Sequence, residues 1–380
     1  MFKSKLILLI IPLFFLCYLN IKTTQKPINV VWISCEDMGP ILGSYGYDIV
    51  KTPNLDKLAS EGVRYTNAYS TVGVCAPSRF SIITGMYSAR LGAHNMRTGD
   101  YHNYKTPEQL TYRKDIGVID KAGKNIPEYE VVPPPYVKPF TEILRANGYY
   151  CANNFKCDYQ FNAPFTAWDE VSSTVSFRDA PKDKPFFYVW NTLLTHESRI
   201  WERSNIPLTV NPKDVKIPSY FPDIPEVRND IARKYSNIEA MDEKVGEIIS
   251  QLEEDGLLEN TIIMFLSYHG GNLLRQKRAV GNSGLNVPLI IRYPNKIDAG
   301  KVDDRIVSLM DLGPTVLSLL NIEPPKHYDG KAIAGKYEES PRKYAFGTAD
   351  RFDESTDMQR SVLDGRYVYI KNFMPELPLI

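Results

Sequence analysis

The sequence has no excess of charge of either sign, with 45 Lys and Arg against 45 Asp and Glu in 380 residues. A general nucleic-acid binder needs a basic face to meet phosphates, and this balance argues against one. Nor is the chain poor in apolar residues: they make up 43%, which excludes a disordered chain of low hydrophobicity. Cysteine is scarce, at five residues (Cys17, Cys35, Cys75, Cys151, Cys157), and the spacings do not match a zinc site. There is no internal repeat and no long low-complexity run. Long apolar runs are missing except at the start, where Lys3 and Lys5 precede Leu6 to Leu19. That run is well short of the ~20 residues that span a bilayer, so no stable membrane span is expected. It reads as a signal peptide over residues 1–24 of an exported protein (periplasmic, cell-surface or secreted), with an uncleaved or lipid anchor as the alternative. In an oxidising compartment Cys151 and Cys157 could pair.

What is present is a series of buried-strand signals alternating with helical ones. Pro27 to Cys35, Tyr149 to Asn154, Pro185 to Asn191, Thr261 to Ser267 and Val287 to Arg292 read as strands. Asn54 to Gly62, Pro77 to Thr84, Phe140 to Asn147, Val227 to Gly256 and the segment after Gly313-Pro314 read as helices. Residues 96–135 and 205–225 read as loops, and Ser361 to Lys371 as a hairpin around Asp364-Gly365. The alternation predicts an α/β fold with a mostly parallel central sheet covered on both faces.

Three predicted strands end in polar clusters: Glu36-Asp37, Thr195-His196 and Tyr268-His269. Open α/β sheets place their ligands at the carboxyl ends of strands. Adjacent carboxylates such as Glu36 and Asp37 stay ionised together only with a cation between them, and a hard cation such as calcium or magnesium suits them. A turn or helix cap is the structural alternative for that pair. Acids, histidines and a cysteine delivered to one sheet edge describe a hydrolase better than a binding module.

The segment Val74 to Gly85 reads VCAPSRFSIITG, and Cys75-x-Pro77-Ser78-Arg79 followed by Thr84-Gly85 resembles the signature of the type I sulfatases of the alkaline-phosphatase-like superfamily. The likeness extends over nearly all of residues 28–371. It includes Asn54 to Ala59, Lys184 to Phe187 leading to Thr195-His196, Gly270-Gly271 with Arg275 to Arg278, and Asp311 to Val316. The wording is most similar to exported bacterial polysaccharide sulfatases and to relatives of heparan N-sulfatase. The resemblance implies a three-layer α/β/α catalytic domain over 27–335 and an incomplete small C-terminal antiparallel sheet over 336–380. It implies conversion of Cys75 to formylglycine by a maturation enzyme, and a sulfated carbohydrate as substrate. By the same resemblance Arg79 polarises residue 75, Lys156 and Lys277 bind sulfate oxygens, and His196 protonates the leaving group. His94 and Asp158 become substrate-binding candidates, and Glu36, Asp37, Cys75 and His269 the ligands of a calcium ion, with magnesium as the alternative.

The chain departs from the family pattern at several places. Glu36 stands where many relatives have aspartate. Asp158 stands where many have histidine, two residues after the lysine. Tyr268 replaces a metal-ligand carboxylate, and a phenol with a reference pKa of about 10 is neutral at pH 7. The site then has one carboxylate fewer, and weaker calcium binding is expected. The hairpin lies close to Ile380, so an exposed sheet edge is expected there. These departures keep two alternatives open: a sulfatase-like protein that binds sulfated glycans without turnover, and a phosphate- or phosphonate-ester hydrolase.

Overall fold

A computed structural model describes residues 27–96, Gly123, 131–352 and 355–377. The predicted signal peptide and most of the predicted 96–135 loop lie outside these residues. In chain order the strands are β1 (Asn29–Cys35), β2 (Val63–Tyr69), β3 (Tyr150–Asn154), β4 (Glu170–Ser172), β5 (Phe186–Asn191), β6 (Thr261–Ser267), β7 (Asn286–Arg292), β8 (Lys301–Ser308), β9 (Ala345–Ala349), β10 (Gln359–Leu363) and β11 (Val368–Asn372). The helices are α1 (Pro53–Ser60), α2 (Cys75–Thr84), α3 (Phe140–Ala146), α4 (Arg199–Glu202), α5 (Pro225–Glu254), α6 (Asn282–Leu285) and α7 (Leu312–Leu319).

Eight strands form one sheet in the order β4-β3-β5-β1-β6-β7-β2-β8. All neighbours pair in parallel except β7, which runs antiparallel to both β6 and β2. β1 is buried along its whole length because the sheet is covered on both faces. Its side chains alternate accordingly. Val30 and Trp32 join Ile82 and Ile83 of α2, Phe140 of α3 and Val316 of α7. Val31, Ile33 and Cys35 join Leu55 and Leu58 of α1 and the apolar stripe of α5 from Ile231 to Leu252. This is the three-layer arrangement expected from the sequence.

α1 and α5 are joined by a cap supplied across the interface. The buried Asp242 of α5 accepts hydrogen bonds from the Asn54 and Leu55 backbone N–H groups at 3.1 and 2.8 Å. Thr52, at the N-cap position, makes no side-chain cap of its own. The second sheet is antiparallel, in the order β11-β10-β9, and isolated bridges from Val72 to Thr348 and from Ile306 to Arg342 tie this region to the main body. On β11, the outer strand of this sheet, Val368, Tyr369 and Ile370 are exposed. Cys151 and Cys157, which could pair in an oxidising compartment, are both free and buried. Cys151 Sγ faces the Thr141 carbonyl oxygen at 3.8 Å, and Cys157 Sγ accepts from Asn153 at 3.1 Å.

Candidate active site

β3, β5, β1 and β6 are consecutive in the sheet and parallel, so their carboxyl ends open on one edge. The polar residues that follow each strand therefore converge. They are Lys156 to Asp158 after β3, Thr192 to Glu197 after β5, Glu36-Asp37 after β1, and Tyr268-His269 after β6. The first turn of α2 carries Cys75, with Arg79 one turn on. Asp37, Asp158 and Arg278 hold left-handed backbone conformations with φ of 56°, 51° and 72°. Such conformations are disfavoured for residues with a side chain and concentrate where a fold must aim groups at a site.

Glu36 is fully buried and surrounded by cations. Arg79 Nη2 lies 2.8 Å from Oε1, and Lys156 Nζ lies 2.9 Å from the same oxygen and 3.0 Å from Oε2. Burial alone would raise its pKa, but Lys156 and Arg79 hold the carboxyl well below its ordinary value. Asp37 is also buried. It accepts from Lys277 Nζ at 3.0 Å and from the Glu197 backbone N–H at 2.6 Å, both on Oδ2. Against the opposing effect of burial, Lys277 and His269 keep it below the ordinary carboxylate range. Lys277 in turn is raised, because Asp37 outweighs the cost of its own burial. Its ammonium also lies 3.3 Å from His196 Nε2. Burial holds His196 below its usual value.

The Cys75 thiol is buried, with Sγ 3.7 Å from Asp158 Oδ2. Burial pushes its pKa up to about 11, even with Lys156 nearby. At neutral pH it is a protonated thiol, and an unmodified thiol in that state is a poor nucleophile.

The carboxylates and imidazoles fit a cation. Glu36, Asp37 and His196 present ligand atoms within 4.8 Å of one another. His269 Nδ1 lies 3.1 Å from the Gly270 carbonyl, which only accepts, so this nitrogen carries the proton. His269 Nε2 lies 2.9 Å from Asp37 Oδ1. Both atoms are buried and neither makes an aligned hydrogen bond. A buried carboxylate oxygen and a ring nitrogen at that distance need positive charge there, supplied by a proton on the ring or by a bound cation.

Tyr268 is turned away from this pair. Its hydroxyl meets Asn191 Oδ1 at 3.2 Å, and its ring lies against the Arg79 guanidinium, 3.7 Å from Cζ to the centroid. Burial raises the phenol's pKa despite the adjacent Arg79, so it is neutral. A ring at this position packs on the arginine and supplies no charge to a cation.

Cys75, Arg79, Lys156, His196, Lys277, Glu36, Asp37 and His269 are thus brought together as the sequence predicted. Asp158 sits beside them, but it is buried under Cys75 and Lys156 Nζ (3.8 Å) rather than open at the mouth. His94 is held elsewhere, with Nε2 2.6 Å from Asp350 at the end of β9. Sequence reasoning missed two participants. Asn191 Oδ1 accepts from Ser34, Arg79 and Tyr268 at once, and a polar residue closing the apolar run PFFYVWN was its only signal. Glu197 pairs with Lys277 at 2.9 Å, and its place directly after His196 was the clue.

Comparison with known proteins shows the family and the fold. The sulfatase family profile matches residues 28–322. An ulvan-active sulfatase of Formosa agariphila is 42% identical, in a match covering 94% of this chain and 62% of the relative's length. The human N-sulphoglucosamine sulphohydrolase is 23% identical, covering 83% of this chain and 67% of its own. The chain thus spans about two thirds of the length of these relatives. In fold it is similar to the solved structure of BT4656 in complex with its substrate D-glucosamine-2-N,6-O-disulfate, with a TM-score of 0.63, 18% identity, and coverage of 93% and 90% of the two chains. With the three-layer fold, the strand-end cluster and the family match taken together, the chain belongs to the sulfatase family.

Proposed function

We propose that this protein hydrolyses sulfate esters or sulfamates on a sulfated carbohydrate, with residue 75 as nucleophile after a maturation enzyme converts Cys75 to formylglycine. The observation that carries this reading is the position of Cys75: it starts α2 among Arg79, Lys156 and Lys277, yet its thiol is protonated and unsuited to attack. Converted to formylglycine, residue 75 supplies a hydrated aldehyde, with one hydroxyl to attack sulfur and a second whose deprotonation releases sulfate.

The remaining residues do the binding and proton work. Arg79 is fixed by Glu36, Asn191 and the Tyr268 ring, and it orients residue 75. Lys156 and Lys277 bind the sulfate oxygens and offset charge as it develops on them. His196, once protonated, donates to the departing oxygen; its lowered pKa makes that proton easy to give up. Glu36, Asp37, His269 and residue 75 are the groups that would hold a divalent cation. We assign calcium, with magnesium as the alternative, to add positive charge against the sulfate oxygens. Asp158 orients residue 75 and Lys156, and His94 contacts the sugar from the side of the small sheet.

The sulfated sugar bound in the BT4656 structure and the names of the sulfatase relatives support a sulfated carbohydrate as substrate, and the apolar start of the sequence supports an exported protein. Among the described residues, no helix is long and apolar enough to cross a membrane. A second reading, glycan binding without turnover, is favoured by one observation: Tyr268 gives no carboxylate to the cation. Sulfate release by wild type separates the two, and substitutions at residue 75 test the nucleophile. Cys75→Ala and Cys75→Ser are both expected to abolish sulfate release from a sulfated glycan while leaving glycan binding in place. Release that survives in both variants would overturn the catalytic reading.

A further inference from the structure

The Glu197 carboxylate occupies Lys277, a cation that the mechanism needs for its substrate, together with the neighbouring Arg278. Its backbone N–H is fixed to Asp37 Oδ2 at 2.6 Å, so the start of its side chain is anchored at the floor of the site. From there Oε1 reaches Lys277 Nζ at 2.9 Å and Oε2 reaches Arg278 Nη1 at 3.5 Å. Lys277 therefore serves two carboxylates of different character. Asp37 is wholly enclosed, whereas the side chains of Glu197 and Arg278 are 27% and 30% exposed. Arg278 is held here by its left-handed backbone and by the 2.6 Å hydrogen bond from its N–H to the Gly73 carbonyl, two residues before Cys75.

A carboxylate spanning two adjacent cations presents two oxygens much as a sulfate group does. Partly exposed ion pairs are also weak and exchangeable, in contrast to enclosed ones. We propose that Glu197 is a displaceable internal anion. It caps Lys277 and Arg278 while the site is empty, and an incoming sulfate group must replace it on both cations, so Glu197 sets the affinity of the site for sulfate. This rests on the sulfate-binding reading of Lys277.

The test is calorimetric titration of inorganic sulfate into the full chain and its variants. Glu197→Gln keeps the backbone link to Asp37 and removes the competing charge. Its sulfate affinity is expected to rise at least about five-fold, the scale of one like-charge contact screened as in water. Glu197→Asp retains the charge on a side chain one methylene shorter, which cannot span both cations. It is expected to fall between wild type and Glu197→Gln, and it keeps the test open should the glutamine variant misfold. A role confined to positioning Lys277 gives the opposite sign, with weaker or unchanged binding in Glu197→Gln, and that result overturns the proposal while leaving wild-type sulfate binding intact. Absence of sulfate binding in every form overturns both this proposal and the reading on which it rests.

Discussion

Lys234 shows how a residue outside the cluster bears its electrostatic cost. It lies on the inner face of α5, wholly buried, and donates to Gln276 Oε1 at 2.8 Å. Burial lowers its pKa to about 8 from an ordinary 10.5, with only partial relief from Asp37. Between those two values the unfolded chain binds more protons than the folded one, so this residue makes stability rise with pH across that window. Below about pH 8 both states are protonated and the full penalty stands. Lys234→Met is therefore expected to be more stable than wild type at pH 7, by about 2 kcal/mol. That advantage should shrink as the pH rises from 8 toward 10. Urea unfolding at several pH values checks it, and a gap independent of pH would show that the lysine's charge is not the cause. Lys234 was invisible as a site-adjacent residue in the sequence, where it reads as one more charge in an amphipathic helix. Cys75 was legible because its neighbours form a signature, and Glu36-Asp37 because two adjacent acids after an apolar strand need a reason. The orientation of Tyr268 was not legible, since it depends on Arg79 and Asn191 arriving from distant segments.

At the scale of elements, one carboxylate of α5 caps the start of α1. Asp242→Ala would leave the Asn54 and Leu55 N–H groups without their acceptor at a buried helix start. The expected loss is about 2 kcal/mol of unfolding free energy, measured by urea titration. A loss below ~0.5 kcal/mol would mean that Thr52 or water takes over the cap. Elements with strong local pattern were readable. β6 was expected over the residues it occupies, and α5 within two residues of its observed ends. β2 escaped because its VRYTNAY sequence is half-buried and its pairing is interrupted by register shifts near Tyr65 to Ala68. β8 escaped because KVDDRIVS begins with exposed and charged residues, as an edge strand does.

At the scale of the whole molecule, the site exists because β3, β5, β1 and β6 are neighbours in space although not in sequence. The fold class was readable from the alternation of strands and helices. The strand order and the reversed direction of β7 were not, because both come from long-range pairing. The shared edge gathers carboxylates, lysines, an arginine and imidazoles around Cys75, and we expect this assembly to turn over sulfate even with a tyrosine at position 268. The most direct measurement is sulfate release from a panel of sulfated polysaccharides by wild type and Tyr268→Asp. Both would be co-expressed with a maturation enzyme, and conversion of residue 75 would be verified by mass. Release is expected from wild type, and more of it from Tyr268→Asp as the cation gains a carboxylate. Release by Tyr268→Asp alone, with residue 75 converted in both, would contradict this expectation and show that the natural chain binds its glycan without cleaving it.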